Sequence, residues 1–375
     1  MQPIEDLLRE AIFNGVFPGA AYSVWKNGKV IQGAVGNHTY DPDSPRTTLQ
    51  SVWDLASVSK VVGTTSATML LVQDGILDIE QPVCSVIPEF GVNGKEKVTF
   101  RNLLVHDSGL VAFRPYHQTF SQADDVMKAI YSEKLTYETG SKSVYSDLSM
   151  ILIAEAIHHL TQKRLDEFLL ERVFQPIGMT HTGYYRLDKG THKSPVSRHL
   201  CVPTEKTEAW RKALRLKRYG FDGSVKLFGI NPEFIQGEVH DPTATILDGL
   251  AGHAGLFSTP NDLTLFMANL IGFKNSIFNQ EVRNMFIKKQ SSLSSRALGW
   301  DTKSPTGSSA GNHFGALSFG HTGYTGTSIW CDPNENVFAI LLANRVHPTS
   351  ENTKILSFRP SFYDLVWKVK DEISK

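Results

Sequence analysis

Cysteine is scarce in this sequence: 375 residues carry only Cys84, Cys201 and Cys331. Three widely spaced thiols cannot build a disulfide framework, and without a Cys-x-x-Cys pair they give no zinc site. An excess of one charge is lacking too, because 38 Lys and Arg balance 38 Asp and Glu. A general nucleic-acid binder needs surplus positive charge to displace counterions, so that class is excluded. No apolar run approaches the ~20 residues of a membrane span. The chain opens on Met1-Gln2-Pro3-Ile4-Glu5-Asp6, not on basic residues followed by an apolar block, so no secretory leader is expected and a cytoplasmic protein is. A chain whose leader had been trimmed would read the same way. Internal repeats and low-complexity tracts are missing as well.

What is present is globular: 41% hydrophobic and 20% charged residues, enough for a sizeable core and more than one domain. Two apolar-rich runs, 20–26 and 29–35, flank Asn27-Gly28, a strong hairpin signal because both turn residues must take positive φ. Helical patterns follow over 58–73, 100–105, 124–132 and 147–160, and one more is capped by Thr259-Pro260. Strands return at 327–331 and 337–343, before a last amphipathic helix over 361–373. Strands at both ends of the chain with helices between them predict an α+β fold. The expected division is a discontinuous sheet domain, 1–56 with 285–375, and a mainly helical domain, 57–284, with a cleft between them.

Two Ser-x-x-Lys tetrads occur. Ser23-Val24-Trp25-Lys26 lies in a predicted strand, where positions i and i+3 point to opposite faces, so its side chains cannot meet. Ser57-Val58-Ser59-Lys60 opens a predicted helix, where i and i+3 share a face. A serine hydroxyl attacks poorly until a neighbouring base takes its proton. A lysine can be that base once burial and the helix dipole destabilise its ammonium form. Alone, the tetrad equally describes a capping serine and a surface lysine. However, Tyr145-Ser146-Asp147 follows 88 residues after Ser57 at a loop-to-helix junction, and His321-Thr322-Gly323 lies 176 residues further on, among the terminal strands. A second copy, His181-Thr182-Gly183, follows a helix-ending turn with no strand after it and reads as structural.

In the order of these three motifs the chain resembles the serine β-lactamase and penicillin-binding-protein-like superfamily. It is most similar to the branch of class C β-lactamases, D-aminopeptidases, DD-peptidases and related esterases. Stretches 100–110, 237–241 and 251–259 match the same family's habits, so the resemblance runs from about Phe17 to Asn344. It implies a β-lactamase/transpeptidase-like fold, an antiparallel sheet flanked by helices plus an inserted helical domain. It also implies Ser57 as nucleophile, Lys60 as base or proton relay, and Tyr145 sharing that relay and activating the deacylating water. The oxyanion hole would be the amides of Ser57 and Tyr324, with substrate contacts from Asp147, His321, Thr322 and Gly323. No cofactor is implied.

Two positions depart from the family's commonest pattern. Asp147 replaces an asparagine, and His321 replaces a lysine. An ionised aspartate only accepts hydrogen bonds, and histidine is mostly neutral at pH 7. Both changes remove positive character where a carboxylate-bearing substrate would place its acid, which favours a neutral small ester or amide. Asp147 could instead meet a substrate amine, or pair with Lys60 and serve structure.

Competing readings are weaker. Gly307-Ser308-Ser309-Ala310-Gly311 matches a hydrolase elbow but lacks the strand before and the helix after that the elbow needs. His158 and His159, adjacent on a helix, cannot converge on one ion, and no HExxH is present, so no metal is expected; His240, Asp241 and His253 read as residues that order loops near the cleft. Residues 186–226 hold eleven Lys or Arg against four acids, and read as a solvated excursion with a short helix near Trp210 rather than an anion-binding face. The expected function is a serine hydrolase acting through an acyl-enzyme on a small ester, amide or peptide-like substrate. A class C-like β-lactamase, DD-carboxypeptidase or D-aminopeptidase is the alternative, and a non-catalytic ligand-binding pseudoenzyme is the second.

Overall fold

In the computed structural model of the protein, residues 2–185, 197–219, 231–273 and 275–373 are described. The strands in chain order are β1 (Gly19–Lys26), β2 (Lys29–Gly36), β3 (Trp53–Asp54), β4 (Gly183–Tyr184), β5 (Leu256–Ser258), β6 (Asp301–Thr302), β7 (Phe319–Thr322), β8 (Ser328–Asp332) and β9 (Val337–Ala343). Asn27 and Gly28 take φ of 50° and 90°, which matches a tight turn to the twist of β1 and β2. The free edge of β1 pairs with the far end of the chain, from Ala20 opposite Ala343 to Lys26 opposite Val337. The result is a six-stranded antiparallel sheet in the order β2-β1-β9-β8-β7-β6.

Both faces of this sheet are covered, so β1 and β9 are buried along their whole length. Ala20, Tyr22 and Val24 face a core shared with the helices Gln2–Phe13 and Ile355–Val369, while Ala21 and Trp25 face the larger core of the helical part. Period-two alternation on one strand thus feeds two cores, each large side chain contributing about 1.5–3 kcal/mol on burial. The helix Pro260–Leu270, capped by Thr259, covers the inner face, where the Thr264 and Ser23 hydroxyls lie 2.7 Å apart. This helix belongs in sequence to the 57–284 stretch. Lys26 turns instead to Glu335, 3.2 Å away, so the first Ser-x-x-Lys tetrad is split across the sheet.

A small second sheet, β3-β5-β4, ties the approach to Ser57 to the helical part. Its strand β4 directly follows Thr182, so the second His-Thr-Gly does precede a strand, though one of only two residues. The Thr182 hydroxyl lies 2.7 Å from that of Ser258 and 2.8 Å from an Asp262 carboxylate oxygen, a structural role.

Two expectations need correction. The last helix begins at Ile355, six residues early, and contains Pro360; the ring removes one backbone donor, but Phe358, Phe362 and Val366 on the buried side outweigh that loss. The basic stretch forms the expected short helix near Trp210 and exposes Lys206 and Lys212, but two of its arginines are not solvated. In the helix Ala209–Tyr219, Arg211 is buried and donates to the carbonyls of Val239 and His240, and Arg215 pairs with buried Glu238 at 2.9 Å. The remainder of 186–226 lies outside the described residues. Gly307–Gly311 forms no helix or strand, and its Ser309 hydroxyl accepts from the Trp330 indole at 3.1 Å. Among the described residues, no helix is long and apolar enough to cross a membrane.

Candidate active site

The turn that delivers Ser57 is held from below. Ala56 has φ of 46°, a left-handed conformation that costs an L-residue roughly 1–2 kcal/mol. Buried Asp54 fixes it, accepting from the Ala56 amide at 2.8 Å with one oxygen and from the His240 amide at 2.6 Å with the other. Lys60 then begins a π-helical turn, Lys60–Thr65, that runs into the helix Ser66–Gln73. Such turns recur at functional sites. The Thr64 hydroxyl here donates to Gly252 at 2.6 Å, anchoring the loop that carries His253.

The Lys60 ammonium is fully buried; it donates to Ser57 Oγ at 2.9 Å and the His253 carbonyl at 3.0 Å, and pairs with Asp147 Oδ1 at 2.8 Å. Burial pushes this ammonium toward neutrality, but Asp147 and the Tyr145 phenol outweigh it, so its pKa stands above the ordinary lysine value. That reverses the expectation of a depressed lysine. Burial was foreseen from sequence, whereas the counter-charge opposite it was only one of two possible partners for Asp147.

Tyr145 is set by His106. The His106 carbonyl accepts from the Val144 amide at 2.8 Å, and its Nδ1 accepts from the Ser146 amide at 3.1 Å, so the ring lies 4.7 Å from that of Tyr145. The Tyr145 hydroxyl is buried beside Lys60 and Ser57, close enough for both to lower its pKa, yet it forms no well-aligned hydrogen bond. Burial wins and holds the phenol above its ordinary value, hence protonated. Lys60 Nζ and Arg296 each lie 4.8 Å from the centre of its ring.

The third motif comes in on β7. His321 is buried, with Nδ1 2.8 Å from the Thr322 carbonyl. A carbonyl only accepts, so Nδ1 carries the proton and Nε2 is left as a buried lone pair without a partner. Burial, then Arg296 and Lys60, press its pKa well below 6.5, so the ring is neutral. Two hydroxyl-to-carbonyl bonds staple the next residues to the turn before Ser57: Thr325 to Asp54 at 2.7 Å and Thr327 to Leu55 at 2.9 Å. Gly323 is required in this staple, because a Cβ would strike the Thr327 hydroxyl and the Leu55 carbonyl. Among the described residues the backbone N–H groups of Ser57 and Tyr324 have no hydrogen-bond partner.

Two cavities, of about 510 and 780 Å³, share Ser57, Tyr145 and Tyr324 in their walls. The smaller also holds His321, Thr322 and Gly323, with Arg296, Arg345 and Arg359. The larger holds Asp147, Glu205, Glu208 and Asp241, with His240 and His253. Positive charge is therefore not lacking beside the third motif; arginines remote in sequence supply what His321 does not. On the acidic side, burial pushes the Asp241 carboxyl up but His253, 2.8 Å away, holds it below the carboxylate range. Glu205, despite burial, is brought down to about 2 by His240 and Ser350. Asp147, Asp241 and His253 gather ligand-type atoms within 4.8 Å of one another, but Lys60 already engages Asp147, and His253 and the Ala244 amide engage Asp241. Sequence reading missed Asp54, His106, Arg296, Arg345, Arg359 and the two threonine staples. Only His106, inside the family-like stretch 100–110, and Thr325 and Thr327, beside the third motif, carried a signal that could have found them.

The geometry can be set beside known proteins. The family model "Beta-lactamase" matches residues 4–358. The chain belongs to the β-lactamase family. It is 30% identical over 379 residues to an N-acetylmuramyl-L-alanine amidase of Bacillus subtilis (strain 168), covering 92% of this chain and 81% of that protein. It is 28% identical to a putative D-alanyl-D-alanine carboxypeptidase of Salmonella paratyphi B, covering 83% and 73%. In fold it is similar to a class C β-lactamase from Rhodobacter sphaeroides, with a TM-score of 0.71 at 16% identity over 99% and 100% of the two chains. The β-lactamase/transpeptidase-like fold implied by the sequence is thus the fold found, and the family's relatives are hydrolases.

Proposed function

We propose that this β-lactamase-family protein is a serine hydrolase that passes the acyl group of a small amide or ester to Ser57 and then to water, in a cleft between a sheet part (1–56 with 285–375) and a helical part (57–284). One observation carries the reading: a buried ammonium spans the 2.9 Å to Ser57 Oγ and the 2.8 Å to Asp147. Held charged, Lys60 cannot take the Ser57 proton until it gives one up. As Ser57 Oγ bonds to the substrate carbonyl carbon, its proton passes to Lys60 Nζ while a Lys60 proton passes to Asp147, which becomes a carboxylic acid. The carbonyl π pair moves to oxygen, where the N–H groups of Ser57 and Tyr324 receive it. The proton then returns from Asp147 through Lys60, or by way of the neutral Tyr145 phenol, to the leaving nitrogen or oxygen. Water attack on the acyl-enzyme runs the same relay and frees Ser57.

The names of the curated relatives, an N-acetylmuramyl-L-alanine amidase and a putative D-alanyl-D-alanine carboxypeptidase, favour an amide to an alanine unit over an ester. The arginines of the smaller cavity favour a substrate with a carboxylate, which keeps a DD-carboxypeptidase or β-lactamase as the second reading. The test sets wild type beside Ser57→Ala on a nitrophenyl ester, an alanine-containing muropeptide and a chromogenic cephalosporin. Turnover of the muropeptide or ester that vanishes in Ser57→Ala with an unchanged melt is expected. Turnover that survives the substitution would remove the assignment, and cephalosporin cleavage faster than the other two would promote the second reading.

A further inference from the structure

Two arginines behind the third motif lack the partners that buried arginines ordinarily require. Arg345 and Arg359 are 6% and 5% exposed, and they hydrogen-bond to carbonyl oxygens alone. Arg345 reaches Tyr324 at 2.8 Å and Ser350 and Asn352 at 2.7 Å each; Arg359 reaches Gly323 at 2.6 Å and Thr327 at 3.0 Å. Among the described residues neither forms an ion pair, whereas Arg296 in the same cavity is matched by Asp301 at 2.8 Å. An unpaired charge out of water is costly, and burial lowers the Arg359 pKa to about 10. Hydrogen bonds to carbonyls do not by themselves call for guanidinium groups, so the charge and the fork both need a reason.

The acceptors supply it. In a trans peptide the C=O of one residue and the N–H of the next point in opposite directions. Gly323–Tyr324 is trans, so a guanidinium fixed on the Gly323 oxygen turns the Tyr324 N–H away from the helix Ile355–Val369. Arg345 holds the following carbonyl, and its Cζ lies 4.2 Å from the centre of the Tyr324 ring. We propose that Arg359 and Arg345 are positioning residues that lock the Gly323-Tyr324 peptides so that the Tyr324 N–H faces Ser57, and that their uncompensated charge stabilises the oxyanion from behind. The inference rests on Ser57 being the nucleophile. When Ser57 Oγ bonds to the carbonyl carbon and the π pair moves to oxygen, that negative charge forms in a dry site, where fixed positive charge acts strongly.

The experiment compares wild type, Arg359→Met, Arg359→Lys and Arg345→Lys in melting temperature, in the rate of Ser57 labelling by a fluorophosphonate, and in kcat and KM for a nitrophenyl ester. Arg359→Met is expected to lower labelling rate and kcat by about 100-fold or more, the cost of one oxyanion donor, with KM within about threefold; Arg359→Lys, which keeps charge without the fork, should recover about a tenth of the loss or more. A purely packing role would shift the melt and leave kcat of the folded fraction alone. If Arg359→Met does not fold, the two Lys variants decide: a kcat drop of about tenfold at constant KM supports the inference, and wild-type kcat overturns it. Labelling of a folded Arg359→Met at the wild-type rate also overturns it while leaving Ser57 standing. A wild type that does not label would sink the Ser57 reading and the inference together.

Discussion

Replacing Asp147 by Asn would decide between the two roles open to that carboxylate. The substitution keeps shape and removes the charge opposite a fully buried ammonium at 2.8 Å. At that distance the attraction is roughly 6 kcal/mol for an effective dielectric of about 20, much of it offset by the cost of desolvating both groups. Removing one partner of a buried pair typically costs about 3–5 kcal/mol. Asp147 keeps a fifth of its side chain exposed, so the lower end, about 3 kcal/mol, is expected. At about 2.1 cal/mol/K per residue the chain unfolds with roughly 0.8 kcal/mol/K, which turns this into a melting shift of about 4 °C. The shift must depend on pH. In the wild type Lys60 lies above its ordinary pKa, so its contribution is complete below about 10.5 and fades only above it. In the variant burial acts with less opposition and the pKa falls, so the penalty is largest near pH 7 and shrinks as pH rises toward 10 and Lys60 loses its proton. Activity should follow: without a terminal acceptor kcat at pH 7 drops about 100-fold or more, and part of it returns at high pH, where a neutral Lys60 can accept from Ser57 directly. Calorimetry and pH–rate profiles over pH 6–10 read both effects. A variant that melts with the wild type across that range and keeps its kcat at pH 7 would refute the charged-lysine relay.

Other perturbations probe other parts of the site. Thr327→Val removes the bond to the Leu55 carbonyl and leaves a buried acceptor unsatisfied; a loss of about 1–3 kcal/mol is expected, with kcat falling more than KM rises, and steady-state kinetics showing the reverse would mean the staple does not set the hole. His321→Lys restores the family's commoner residue beside Arg296 and Lys60, so a lower melting temperature and less than about a threefold gain in KM for a carboxylate-bearing cephalosporin are expected; a tenfold gain with an unchanged melt would show that the neutral ring is what keeps acids out. Three buried histidines set an acid limit. Burial lowers His38 to about 4, burial with Arg296 and Lys60 holds His106 well below 6.5, and the same causes hold His321 there. Between these values and 6.5 the unfolded chain takes protons the native state refuses, so stability present above pH 6.5 should fall by up to about 1.4 kcal/mol per pH unit for each as pH drops. Denaturant titrations at pH 7.5, 6 and 5 would measure this, and His38→Gln should remove one histidine's share of the slope.

The grouping of Ser57, Lys60 and Tyr145 was legible because each sits in a short motif whose spacing has a geometric meaning: Ser57 and Lys60 share a helical face, and Tyr145 lies at a helix entry. The hairpin was legible because Asn27-Gly28 selects one turn, and the β9 run because Val337–Ala343 is apolar throughout. What sequence left dark depends on contacts between distant segments. Nothing near Arg345 or Arg359 says that they meet the 323–327 turn, and nothing near Asp54 says that it caps a strained Ala56 and holds His240. The sign of the Lys60 shift was misread for the same reason. Burial is a property that a helical position suggests, whereas a counter-ion arriving from Asp147, 87 residues away, is not. Arg211 and Arg215 show the converse: a run of positive charge looks solvated until Glu238 and two carbonyls are found folded against it.

The pairing of β1 with β9 joins stretches more than three hundred residues apart. Closing so long a loop is entropically costly before any contact repays it, and folds ruled by distant pairings assemble slowly. A chain emerging from the ribosome can collapse its helical middle and even bring Ser57 beside Lys60. It cannot complete the sheet that carries His321, with Tyr324 in the turn after it, until synthesis has passed Ala343, nor receive Arg359 until later still. The grouping around Ser57 is therefore completed last, at or after release, and a chain broken off before its final helix would lack the Arg359 bonds to the Gly323 and Thr327 carbonyls.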